Sequence, residues 1–122
     1  ALQRLGHLLG EARYLDASAR CLRLFHAQLA QQPIAYPTLL AVLDEVLAPP
    51  RVTLLRGPAL ALKEWSAALI PQLGARDLLL ALPNGLTLPA ALAKPEADRP
   101  TAWVCSGTAC QPPATDLGAV LA

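Results

Sequence analysis

Apolar residues recur along this chain at two periods, and the change from one to the other divides it. Leu2, Leu5, Leu8 and Leu9 fall on one helical stripe, with Gly10 following as a C-terminal stop. A second helix is predicted from about Glu11 to Ala30. There Tyr14, Ser18, Cys21, Leu22, Phe25 and Leu29 recur at intervals of three and four, opposite Arg13, Arg20, Arg23 and Gln31. The pair reads as a helical hairpin. After a connector from Gln31 to Tyr36, Pro37 opens a third helix carrying Leu39, Leu40, Val42, Leu43, Val46 and Leu47, and Pro49-Pro50 ends it.

Beyond Pro50 the apolar runs become short. Arg51 to Gly57 (RVTLLRG) is a β-rich run closed by glycine, and Pro58 to Leu73 is helical. Asp77 to Leu82 is a second short run, closed by Pro83-Asn84-Gly85. Two such strands joined by a helix imply parallel pairing through a right-handed crossover, with cover on both faces of the sheet. Gly85 to Arg99 reads as an exposed crossing whose charges, Lys94, Glu96, Asp98 and Arg99, serve solvation. A third strand is expected over Thr101 to Cys105 and a short returning one over Ala109 to Gln111. Pro112-Pro113 should stop the ladder, and Asp116 should cap a last helix, Leu117 to Ala122. The expected class is α/β: helices over residues 1–48, packed on a small three-layer-like unit over 49–122 with two parallel strands and a C-terminal antiparallel hairpin.

Composition adds limits. With 122 residues, 54% hydrophobic and 16% charged, the chain can bury a sizeable core. Ten basic and nine acidic residues, spread evenly to a net charge of +1, give no footprint for nucleic acid or an anionic membrane. The apolar runs are too short, and too often broken by proline, to span a bilayer. No signal peptide is visible at the start, and three cysteines, an odd number, fit a reducing compartment, so the expected location is cytoplasmic. The chain begins at Ala1 in mid-pattern and holds no methionine, which suggests a C-terminal piece of a longer protein.

Candidate chemistry concentrates in Ala102 to Asp116, AWVCSGTACQPPATD. Cys105 and Cys110 lie symmetrically about Gly107-Thr108. A two-residue hairpin loop there would make Ser106 and Ala109 the first hydrogen-bonded pair and Cys105 and Cys110 the next, non-hydrogen-bonded pair, about 4.5 Å apart at Cα. Three outcomes fit that placement: two thiols filling space, a disulfide or redox pair, or part of a metal site, for which two cysteines fall short of the usual four zinc ligands. Cys21, in the middle of a helical stripe, is expected to be a packed thiol. His7 and His26 have no second ligand at helical spacing and are expected at the surface or an interface. Trp65 reads as packing, and Trp103 neighbours the cysteine hairpin. The turn RGPALALK lacks both phosphate-binding glycine patterns, and Pro58 removes an amide an anion would need. No catalytic residue, metal ligand set or cofactor site is expected.

The tail T-A-W-V-C, four residues, C-x-x-P-x-T-D resembles the extreme C-terminus of the thioredoxin-domain-containing proteins of the spermatogenesis-associated protein twenty family, found from bacteria to animals. Cys105, Cys110, Pro113, Thr115 and Asp116 match that tail, and Trp103 stands where tyrosine is usual. Gly10-Glu11-Ala12-Arg13-Tyr14 with Ala17, PIAYPTLL from Pro33, RVTLLRG and DLLLALP are similar to other parts of the same proteins. The resemblance implies a parent with an N-terminal thioredoxin-like domain and a central six-hairpin α/α barrel similar to glycosidases and sugar epimerases. Residues 1–48 would then be the end of that barrel and the rest a C-terminal appendage. Any thioredoxin-type cysteines and barrel carboxylates would precede Ala1. The expected function is therefore a non-catalytic accessory domain partnered by the remainder of its own polypeptide, with exposed apolar surface that drives self-association, as a dimer, in isolation. Two alternatives remain: a fragment supplying a wall of a carbohydrate-active site, and a redox-responsive module using Cys105 and Cys110.

Overall fold

Pro49-Pro50 can neither continue a helix nor donate to a sheet. At that point the computed structural model, which describes residues 1–107 and 109–122, divides into two compact units, Ala1–Pro50 and Arg51–Ala122.

In the first unit α1 (Leu2–Leu9) ends at Gly10, whose φ of 66° lets its N–H and that of Glu11 turn back to the Gly6 carbonyl. Glycine suits that left-handed position because it has no Cβ to clash. The predicted second helix is interrupted. It runs as α2 (Ala12–Leu24) and α3 (His26–Gln31), because Phe25 at φ −101°, ψ 11° leaves helical geometry and its N–H reaches both the Cys21 and Arg23 carbonyls. A short 3-10 turn at Pro33–Ala35 leads into α4 (Pro37–Leu47), which opens on proline as expected.

The helical unit buries polar side chains beside apolar ones, Leu29 and Pro50 among the latter. Gln3, Gly6, Ser18 and Glu45 are buried, and the Glu45 carboxylate accepts from Arg4 Nε at 2.7 Å. A Cβ on Gly6 would sit 2.7 Å from Leu15 Cγ, so α1 and α2 meet closely there. Many of the unit's large apolar side chains face outward: Leu2, Leu5, Leu24, Phe25, Leu40 and Leu47 are exposed. Cys21, expected to be packed, is exposed as well. Ser18, one turn earlier, is the position the packing covers.

The second unit is a mixed α/β fold. β1 (Arg51–Gly57), α5 (Ala59–Leu69) and β2 (Leu78–Pro83) form the expected unit, with β1 and β2 parallel. β3 (Thr101–Ser106) pairs antiparallel with β1 on its other side, and the two-residue β4 (Ala109–Cys110) follows it, giving the order β2-β1-β3-β4. Strand alternation sends Leu55, Leu79, Ala102 and Val104 to one face, where Leu62, Trp65 and Leu69 of α5 and Leu117 and Val120 of α6 (Leu117–Leu121) close the core. Cover on the sheet is uneven: β1 is buried from Val52 to Gly57, but β2, at the edge, has no fully buried residue and exposes Ala81.

Arg56 explains how the chain returns from β2 to β3 across the end of β1. It is 4% exposed, and its guanidinium Nη1 donates to the Leu82 and Pro83 carbonyls at 3.2 and 2.7 Å. Nη2 donates to Glu96 Oε1 at 3.3 Å, and the same oxygen accepts the Gly85 N–H. Asn84 adds a clasp, its side chain donating to the Ala97 carbonyl at 2.8 Å and its N–H to the Gly57 carbonyl at 3.0 Å. Glu96, expected to serve solvation, thus ties the crossing to the strand end. Gly57, at φ 148°, permits the close passage, since a Cβ there would meet the Arg99 carbonyl oxygen at 3.1 Å.

Replacing Arg56 by methionine keeps the volume and removes every donor. The exposed Glu96 contributes little as an ion partner, so the loss comes mainly from the two strand-end carbonyls and the crossing they hold. Arg56→Met is expected to destabilise the fold by roughly 3 kcal/mol in denaturant unfolding, and Arg56→Lys to recover less than half, because a point charge cannot replace a fork. A loss below about 1 kcal/mol, within the range of an ordinary surface substitution, would contradict this role.

Candidate functional site

The cysteine hairpin forms at the outer edge of the sheet. Ser106 pairs with Ala109 and Cys105 with Cys110, in the predicted register. Gly107 takes a φ of 59°, while Thr108, the other half of the expected loop, lies outside the described residues. The Gln111 N–H donates to the Val104 carbonyl at 2.9 Å, which marks residues 104 and 111 as a hydrogen-bonded pair. The neighbouring Cys105 and Cys110 are therefore a non-hydrogen-bonded pair, the kind with the closer Cα separation. Their Cα atoms are 3.9 Å apart and their sulfurs are bonded at 2.04 Å. Of the three arrangements compatible with the sequence, the structure contains the disulfide.

Pro112-Pro113 do not end the ladder. Ala102 and Ala114 exchange both backbone hydrogen bonds, at 2.8 and 2.9 Å, so pairing resumes after the prolines with one extra residue on the returning segment. The result is a β-bulge opposite Trp103, at a place where neither proline has an N–H to offer. Beyond it Ala114 packs against the core, and Asp116 Oδ2 accepts the Ala119 N–H at 3.0 Å as the cap of α6. The tail residues thus have separate positions: Trp103 half-buried on β3, Pro113 exposed in the bulge, Thr115 exposed, and Asp116 at the cap.

Alternation sets what surrounds the sulfurs. Trp103 and Cys105 project to the face opposite Ala102 and Val104, away from the α5 core. Across the sheet one row on that face runs Leu78, Val52, Cys105, Cys110. Cys105 is half-buried within the row and Cys110 is exposed at its end. The β1–β3 pairing that builds this row carried no signal in the local pattern, because a strand's period reports its face and not its neighbour. Among the described residues no three or more His, Cys, Asp or Glu side chains gather as a metal site, and no helix is long and apolar enough to cross a membrane. His7 shares a hydrogen bond with Gln3 on the same helix, and His26 is exposed.

Closing so short a loop restricts the unfolded chain modestly, by roughly 2 kcal/mol in the chain-entropy account. Replacing both Cys105 and Cys110 by alanine is expected to lower stability by about that amount while leaving the helical content intact. Alkylation of the native protein followed by mass spectrometry should modify Cys21 alone, with Cys105 and Cys110 reacting only after reduction. Labelling of all three without reductant would contradict the bond. Set against known proteins, the chain matches no family model, no curated protein and no solved structure.

Proposed function

We propose that this chain is a non-catalytic accessory segment of a larger protein, whose helical unit docks through its apolar surface on further helices of the same polypeptide and whose α/β unit is an appended domain. One observation carries the reading: the helical unit buries Gln3, Ser18 and Glu45 while Leu24, Ile34 and Leu47 stand 73%, 93% and 77% exposed. An isolated helical bundle ordinarily sorts these residues the other way. A groove of about 410 Å³ lined by Leu22, Arg23, His26, Leu29 and Leu43 extends the apolar surface. Exposed apolar area on this scale is a feature of interaction surfaces. The resemblance to the spermatogenesis-associated protein twenty family supplies a candidate for what lies opposite, the preceding helices of an α/α barrel of which residues 1–48 would be the end, and fits a cytoplasmic location.

If this reading holds, the isolated chain self-associates through the same surface, as a dimer. Sedimentation at increasing concentration should show a shift to a larger species. Leu24→Glu combined with Leu47→Glu should restore a monomer of unchanged helical content, since both side chains already face water. A wild-type chain that remains monomeric at about 100 μM, well above the range of stable interfaces, contradicts the docking surface. The alternative, that the chain supplies one wall of a carbohydrate-active site, separates by activity: deleting residues 51–122 from the longer protein should leave turnover in place, whereas its abolition with the fold preserved would favour that alternative.

A further inference from the structure

We propose that the Cys105–Cys110 disulfide is a thiol–disulfide exchange site that accepts two electrons from a dithiol, and that the attacking thiolate is admitted to the Cys110 sulfur and not to Cys105. Exchange requires a thiolate to approach one sulfur from behind, along the line of the bond it will break. In the row Leu78, Val52, Cys105, Cys110 that line lies across the strands. The approach to Cys105 comes from the β1 side, where Val52, its direct partner on the same face and 7% exposed, stands in the way. The approach to Cys110 comes from beyond β4, which ends the sheet among the described residues.

The backbone supports the same direction. As a non-hydrogen-bonded pair with Cys105, Cys110 turns its own N–H and C=O away from β3, toward the open edge. An extended dithiol-bearing peptide can pair with those groups by strand addition and bring its thiolate onto the exposed sulfur. The thiolate forms a bond to Cys110 Sγ, the disulfide breaks, and the electron pair leaves on Cys105 Sγ, which takes a proton from water. The second thiolate of the dithiol then attacks its own partner sulfur in the mixed disulfide and expels Cys110 as a thiolate. The dithiol ends as a disulfide, and Cys105 and Cys110 end as thiols. Cys21, exposed on α2, is not one of the exchanging pair.

The test uses the full chain carrying Cys21→Ser, with dithiothreitol and glutathione as probes. Dithiothreitol should release both hairpin thiols. Brief exposure to reduced glutathione, acid quench and peptide mapping should place the adduct on Cys110 over Cys105 by about tenfold. Because the adduct is transient, the access of glutathione to each sulfur taken singly offers a second measurement that needs no trapping. With oxidised glutathione, Cys110 in the Cys105→Ser variant should be modified about tenfold faster than Cys105 in the Cys110→Ser variant. Equal labelling, or a preference for Cys105, overturns the proposed direction of attack. Failure of dithiothreitol to release any thiol overturns the exchange site altogether, and neither result touches the docking surface of the helical unit.

Discussion

The guanidinium of Arg56 is the constraint on which the α/β unit depends. A chain that leaves β2 and returns as β3, antiparallel beside β1, must cross the end of β1, and there the last carbonyls of β2 need partners. An arginine set in the strand itself meets that need from inside, with one nitrogen on the Leu82 and Pro83 carbonyls and another on Glu96. Burying the charge has a cost, visible in a guanidinium Nε without a hydrogen-bond partner among the described residues. The compensation is geometric. The fork fixes three chain segments at once, which an apolar side chain of equal volume could not do.

From that junction the order of the sheet follows. With the crossing held, β3 lies against β1 in a register that places Ala102 beside Leu55 in the core and Cys105 beside Val52 on the opposite face. The bulge at Pro112-Pro113 then adjusts the returning segment by one residue. Cys110 can face one side of the sheet while Ala114, Leu117 and Val120 reach the other. Without the extra residue the segment would carry its side chains to the wrong faces, since strand alternation has a period of two. The disulfide and the α6 contact are thus reconciled by two prolines whose missing donors make them suited to a bulge.

The elements that a local rule governs were legible in the sequence. Gly10 ended α1, Pro37 opened α4, RVTLLRG formed β1 over its whole length, and Asp116 capped α6. The cysteine register followed from symmetry about the turn. What remained hidden depended on distant partners. Glu96 looked like one charge among several on an exposed loop, because its partner lies forty residues earlier inside an apolar run. Cys21 was placed inside by its helical stripe, but a stripe tells which residues share a face, not how far the cover extends, and Ser18 and Leu29 of that stripe are buried while Cys21 and Phe25 are exposed. The bond between Cys105 and Cys110 lay between these cases: spacing allowed it, and only the assembled hairpin shows it made.

Native-state hydrogen exchange addresses the Arg56 junction directly. If the crossing is locked to the end of β1, the Asn84 amide, bonded to the Gly57 carbonyl, and the Ala102 amide, bonded to Ala114, should open only with the core and exchange in the same slow class as the amides of β1. An Asn84 amide that exchanges at the rate of an exposed loop while β1 stays protected would show that the crossing opens independently, and would contradict the account.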